Sequence, residues 1–148
     1  MIRLQAATFA DSANIREGLL GLLGAGLRVI RRPAYPAPVD AVFVMLVEIS
    51  EEAPGASHQL SITLQSRDDH QVITDFSAEI GTLTGAEVDE HGHVPIATLP
   101  VVLPLGGALI PRAGRYEAEV RGDGEVIGGA RIDAVVLPDD DRFNPEWF

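Results

Sequence analysis

Five consecutive residues, Asp89-Glu90-His91-Gly92-His93, hold the densest supply of metal-ligating groups in the chain. Two imidazoles two positions apart, with carboxylates beside them, suit a transition-metal ion if the loop curls around it. Dedicated metal sites draw their ligands from several segments, and a solvated Asp/Glu/His-rich loop is the ordinary use of such a run. Calcium asks for something else, about six to eight oxygens gathered in one place. In an up-and-down sandwich the loops holding Asp11, Glu51-Glu52, Asp89-Glu90 and Asp123 would share one end and could offer them. None of these loops carries Asp-x-Asp spacing, and an acidic rim that keeps the protein dissolved accounts for the same residues. Glu51, Glu52, Asp89, Glu90, His91 and His93 are therefore the candidates for a cation, while the expectation is that no metal or cofactor is bound.

Nucleophilic catalysis has little to build on. No Gly-x-Ser-x-Gly elbow is present, and Ser12, Ser50, Ser57, Ser61, Ser66 and Ser77 fall on polar strand faces or in turns. His58 occupies the apolar parity of its segment, as a buried or edge histidine does. Gly18-Leu-Leu-Gly21 and Gly24-Ala-Gly26 lack the Lys of a phosphate loop. The expectation is a protein without catalytic activity.

The C-terminus carries a different chemistry. Asp139-Asp140-Asp141 leads into Arg142-Phe143-Asn144-Pro145-Glu146-Trp147-Phe148, so three of the eight aromatics fall in the last six residues. Exposed Trp and Phe disfavour solubility, and Trp is enriched at binding hot spots. Either Phe143, Trp147 and Phe148 fold back over an apolar groove of their own chain, or Phe143, Pro145, Trp147 and Phe148 dock onto another protein or a second copy.

Composition narrows the remaining choices. The 148 residues fit one domain, and the formal charge is −11 with every one of the eleven basic residues an Arg. Such a chain repels phosphate backbones and anionic lipid, so nucleic acid and membrane surfaces are poor partners. Arg31-Arg32 is the only adjacent basic pair. Absence of cysteine removes disulfides and thiolate chemistry, leaving burial to hold the fold. The apolar run from Val94 to Ile110 is broken by Pro95, Pro100 and Pro104, which argues against a membrane helix. The N-terminus lacks a signal-peptide stretch, and a soluble cytoplasmic protein is expected.

The elements read as strands. Ile2 to Phe9 is the first. Asp11 to Ile30 could be a helix capped at Asp11 or Ser12. However, Gly18, Gly21, Gly24 and Gly26 would each weaken a helix interior by about 1 kcal/mol. A strand from Leu19 to Ile30 after a turn at Arg16-Glu17-Gly18 fits better. Pro33 to Pro38 is a stiff connector, and Ala41 to Val47 is apolar enough for a central strand covered on both faces. His58, Leu60, Ile62 and Leu64 alternate with polar residues. Their partner carries Val72, Thr74, Phe76, Ala78 and Ile80 on one parity, so matching the two apolar sets calls for a three-residue loop over Asp68 to His70. Gly81 to Gly92 reads as a long polar connection, and Val94 to Leu103 is a proline-limited edge strand.

The final hairpin turns at Asp123-Gly124. A perfect two-residue register would send Ile132, Ala134 and Val136 to the wrong face. One extra residue at Gly128-Gly129 corrects all three, so a β-bulge there and Tyr116 beside Ile132 are expected.

The opening stretch Phe9 to Gly26, Phe-Ala-Asp-Ser-Ala-Asn-Ile-Arg-Glu-Gly-Leu-Leu-Gly-Leu-Leu-Gly-Ala-Gly, and the closing Gly-Arg-Tyr-Glu-Ala-Glu-Val of Gly114 to Val120 resemble a family of uncharacterised bacterial proteins. It is known only as a domain of unknown function. The resemblance implies a C2- or immunoglobulin-like β-sandwich and carries no catalytic residues. The sequence thus points to a single antiparallel β-sandwich of about eight strands over residues 1–137, with an acidic, aromatic tail over 138–148. The expected role is protein–protein interaction, as an adaptor or a subunit of a larger bacterial assembly. Contact would run through the tail or the edge strand near Val94 to Leu103. The alternative is a small-ligand or calcium-binding sandwich using its acidic loop end.

Overall fold

A computed structural model of the protein describes residues 1–50, 56–81, 90–91 and 96–137. They form twelve strand segments and no helix: β1 (Ile2–Ala10), β2 (Ser12–Arg16), β3 (Leu19–Leu23), β4 (Val29–Arg32), β5 (Ala37–Pro38), β6 (Val42–Ser50), β7 (Ser57–Ser66), β8 (Val72–Gly81), β9 (Ile96–Pro104), β10 (Leu109–Ile110), β11 (Gly114–Gly122) and β12 (Glu125–Val136). Two sheets dominate, ordered β1-β6-β9 and β4-β12-β11-β7-β8. Period-two alternation makes the sandwich. Phe9, Phe43, Met45 and Val47 of the smaller sheet meet Leu60, Ile62, Leu64, Tyr116, Val120 and Ile132 of the larger in one buried core. The rings of Phe9 and Phe43 tilt together with centroids 5.3 Å apart. Val44, on the opposite parity of β6, is buried too, as expected of a central strand with both faces covered.

Register follows the apolar parity, with local corrections. Tyr116 lies opposite Ile132, and the extra residue of β12 is Ile127, just before Gly128 at φ 147°. The bulge therefore precedes the expected Gly128-Gly129 position by one residue. In the β7–β8 hairpin Leu64 faces Thr74 and Ile62 faces Phe76, so the apolar sets match. The expected three-residue loop is not what aligns them. Ser66 closes on Gln71 around Arg67 to His70, His70 takes φ 59°, and Ile73 is skipped as a bulge. Ser66 itself is buried, and its hydroxyl accepts the Asp68 N–H at 3.2 Å.

Two further expectations are corrected. Residues 19–30 do not form one strand: β2 and β3 pair about Glu17-Gly18, both at positive φ as a type I′ turn needs. Gly24 at φ 66° then ends the hairpin, with its Cα against the Asp11 carboxylate, where a side chain would collide. The sheets are also not wholly antiparallel. β4 pairs in parallel with the end of β12, Val29 opposite Asp133, a long-range contact that local periodicity does not encode. β9 is an edge strand, as its prolines require. No helix of the described residues is long and apolar enough to cross a membrane.

Tyr116 anchors one corner. Its hydroxyl donates to the Arg112 carbonyl at 2.8 Å, the form taken by the tyrosine corner of immunoglobulin-type sandwiches. Burial pushes its phenol pKa up.

Candidate functional site

The acidic end is the first place to look for chemistry. β6 ends at Ser50, β7 begins at Ser57, β8 ends at Gly81 and β9 begins at Ile96, all at one end of the sandwich through the pairs Ser57 with Gly81 and Ser50 with Ile96. Asp123 lies there too, at the tip of the β11–β12 hairpin. Both of its oxygens are engaged: Oδ2 is 2.7 Å from His58 Nδ1, and Oδ1 accepts the Gln59 N–H at 2.9 Å. A carboxylate only accepts, so Nδ1 carries the proton. The His58 contact first, and the Gln59 N–H second, hold the Asp123 carboxyl below its ordinary value. His58 is buried, as its parity implies, and among the described residues its Nε2 has no hydrogen-bond partner.

Asp11 does not join this end. It follows β1, whose first residue Ile2 pairs with Ile49 and whose last, Ala10, pairs with Val42. Nine residues of strand separate the two ends, roughly 30 Å. The cation arrangement built on Asp11 with Asp123 is therefore not formed. Glu90 and His91 sit exposed in a turn. Glu51, Glu52, Asp89 and His93 lie outside the described residues, as do Phe143, Pro145, Trp147 and Phe148 of the tail. Among the described residues no group of three or more His, Asp or Glu could hold a metal ion.

What stands out instead is the β2–β3 hairpin, which pairs with neither main sheet. Its ladder sets Ala13 across from Leu22 and Ile15 across from Leu20, so one face is wholly apolar. Ile15 is 48% and Leu22 42% exposed, while Leu19 and Leu23 on the other face reach 73% and 69%. Gly21 leaves room for the Asn14 amide to lie flat over the second face. An isolated two-stranded ribbon is marginal in water. This one is tied at its base by the Asp11 N–H to the Leu23 carbonyl at 3.0 Å and by the Gly26 and Leu27 N–H groups to the Phe9 carbonyl. In the sequence its leucines read as a strand of the body, and only the positive-φ signals at Glu17-Gly18 and Gly24 hinted at a separate arm.

The two sides of the sandwich differ. On one, β1 runs beside β12 with a cleft of about 570 Å³ between them, lined by Arg28, Arg67 and Arg131 among others. On the other, β8 and β9 are both edge strands among the described residues. A groove of about 500 Å³ opens there between Ile73 to Phe76 and Leu103 to Leu109. Sequence reasoning missed the arginine cleft, because its residues lie far apart in the chain and share no motif.

Comparison with known proteins adds a family. No curated protein matches the sequence. Among solved structures, the Pseudomonas fluorescens alkylpurine DNA glycosylase AlkC, bound to DNA containing an abasic site analog, is similar to 90% of this chain at 11% identity and a TM-score of 0.45. The similarity spans 30% of that protein's chain. A family of unknown function, DUF6941, matches residues 5–135, nearly the whole sandwich. The chain belongs to that family.

Proposed function

We propose that this is a cytoplasmic, bacterial, non-catalytic protein–protein interaction module that serves as an adaptor or as one subunit of a larger assembly. One observation carries the reading: the β2–β3 arm, a ribbon with an all-apolar face on which Ile15 and Leu22 are exposed and Ala13 and Leu20 partly buried, and with Leu19 and Leu23 exposed on the other face. Exposed apolar patches on soluble proteins mark contact sites, and both edges of the ribbon offer unpaired backbone groups for strand addition. The partner is a different protein, because two copies at −11 each repel. A complementary partner presents an apolar groove within a basic rim. The aromatic tail at Phe143, Pro145, Trp147 and Phe148 and the exposed edge of β9 are secondary contacts in this reading. The calcium alternative is weaker, since Asp123 spends both oxygens on His58 and Gln59.

The test uses the full chain. A partner is identified by cross-linking in native extract and purified, and its affinity is measured for wild type, for Ile15→Ser/Leu22→Ser, and for a chain lacking residues 139–148. The expected result is a folded double variant with at least a tenfold loss of affinity, about 1.4 kcal/mol. A double variant that binds like wild type, with cross-links far from residues 12–23, overturns the assignment of the arm.

A further inference from the structure

Strands β1 and β12 lie side by side without backbone pairing. At one end they touch closely: Ile2 packs over Gly122 and Leu4 over Gly128, where an added Cβ would lie 2.6 Å from each side chain. Both strands then carry a bulge, at Gln5 in β1 and at Ile127 in β12. Bulges bend and twist a strand, and past these two the edges part into the cleft of about 570 Å³. That volume is in the usual range for a small-molecule site.

The far wall is built and held. Thr8 Oγ1 accepts the Gly26 N–H at 2.8 Å, and the Phe9 carbonyl accepts the N–H groups of Gly26 and Leu27. The Arg28 carbonyl accepts the Asp133 N–H at 2.8 Å. These bonds fix Gly26-Leu27-Arg28 across the opening. Arg28 from this wall, Arg67 from the β7–β8 turn and Arg131 from β12 then line one cavity, with Leu27 and Ala130 as its apolar part.

Four arginines elsewhere are neutralised at close range. Arg3, Arg112, Arg115 and Arg121 each contact a carboxylate at 2.7 Å or less. Among the described residues Arg67 reaches only Glu117, at 4.0 Å, and no ion pair forms at Arg28 or Arg131. Arg131 stands directly across from Glu117 in the ladder and still does not bond to it. The counter-charges nearby are Glu117 and the Asp133 that lines the cleft, with Asp133 set opposite Arg115. In a chain with 22 acidic and 11 basic residues, Arg28 and Arg131 without an ion pair among the described residues, and Arg67 held only by the long contact to Glu117, leave one cavity positioned for an anion from outside.

We propose that this cleft binds a small phosphorylated molecule, its phosphate held by Arg28, Arg67 and Arg131 and its uncharged body against Leu27 and Ala130. A planar carboxylate matches one guanidinium fork, whereas a tetrahedral phosphate can face three at once. The site is independent of the β2–β3 arm and of the role proposed for it.

Inorganic phosphate is the probe, at constant ionic strength against chloride and acetate, read by phosphorus NMR and by thermal shift of the full-length protein. The expected result is one saturable phosphate site that raises Tm, with acetate inert. Arg28→Gln and Arg131→Gln, both at exposed positions, each weaken it about tenfold, as loss of a charged hydrogen bond should. Arg16→Gln, on the arm, leaves it unchanged. No saturable phosphate site in the wild type overturns the proposal, as does equal weakening by Arg16→Gln. Acetate binding as tightly as phosphate overturns the choice of ligand. A short single-stranded oligonucleotide binding far more tightly than phosphate, with a salt slope of several phosphates, overturns it in favour of a nucleic-acid face.

Discussion

His58 Nδ1 and Asp123 Oδ2 lie 2.7 Å apart, and this contact joins β7 to the tip of the β11–β12 hairpin across 65 positions of sequence. Asp123 does two jobs there: its side chain receives His58 and the Gln59 N–H, and its backbone takes φ 52° in the turn. The jobs separate by substitution. Asp123→Asn keeps a residue that tolerates positive φ but loses the charge, and with half of the carboxylate exposed the loss should be about 1 kcal/mol. Asp123→Ala loses the acceptor and also the short polar side chain whose local hydrogen bonding lets Asp and Asn settle in the left-handed region, adding about 1 kcal/mol. Urea denaturation should rank wild type above Asn above Ala, and equal stability of the two variants would show that the turn carries no strain.

The hairpin ending at that contact shows how far the sequence could be read. Counting apolar parity through Tyr116 and Ile132 requires one extra residue in β12, and the ladder has it. Parity fixes the number of inserted residues and not their place, so the bulge falls at Ile127 instead of one step later. Glu17-Gly18 was legible as a turn because its chemistry is local. The parallel pairing of Val29 with Asp133 was not, since nothing near either residue encodes a partner a hundred positions away. For the same reason Asp11 could be assigned to the end of Asp123, and Arg28, Arg67 and Arg131 could not be seen as neighbours. Each error depends on strand direction or on contacts between sheets, which hydropathy alone does not carry.

Gly129 is held by its surroundings. A β-carbon there would run into the Ala118 carbonyl oxygen of the paired strand, which is backbone and cannot swing aside. Gly129→Ala should therefore cost about 1–3 kcal/mol as an overpacked position, although alanine ordinarily suits a strand better than glycine. A melting temperature equal to wild type would mean that the β11–β12 ladder shifts freely at this point.

The arm and the core should respond oppositely to truncation. Phe43→Ala empties a fully buried ring site packed on Phe9 and should cost about 3–5 kcal/mol. Ile15→Ser and Leu22→Ser remove partly solvated side chains from a ribbon outside both main sheets, and each should change stability by no more than about 0.5 kcal/mol. Thermal melts of the three variants check this. A large loss at Ile15 or Leu22 would make the apolar face part of the sandwich's own packing.

Acid should loosen the β7–β8 turn in a defined window. The Gln71 N–H at 3.1 Å, and then Arg112 Nη2 at 2.5 Å, bring the Asp69 carboxyl down to about 2. Arg115 Nη2, 2.5 Å from Asp68 Oδ1, lowers its neighbour in the same direction. Between the folded value of Asp69 and an unfolded value of about 3.9, the unfolded chain binds more protons, so stability rises with pH. The contribution is complete above about pH 4 and disappears as pH falls toward 2. Asp69→Asn keeps an acceptor for Gln71 and removes the titration. Calorimetry between pH 2 and pH 5 should show Tm of the variant falling less steeply than that of wild type, with the two curves parallel above that range. High salt should shrink the difference, because both partners are solvent-exposed. Identical slopes below pH 4 would place the acid-sensitive carboxylates elsewhere, with Asp123 the next to test by the same substitution.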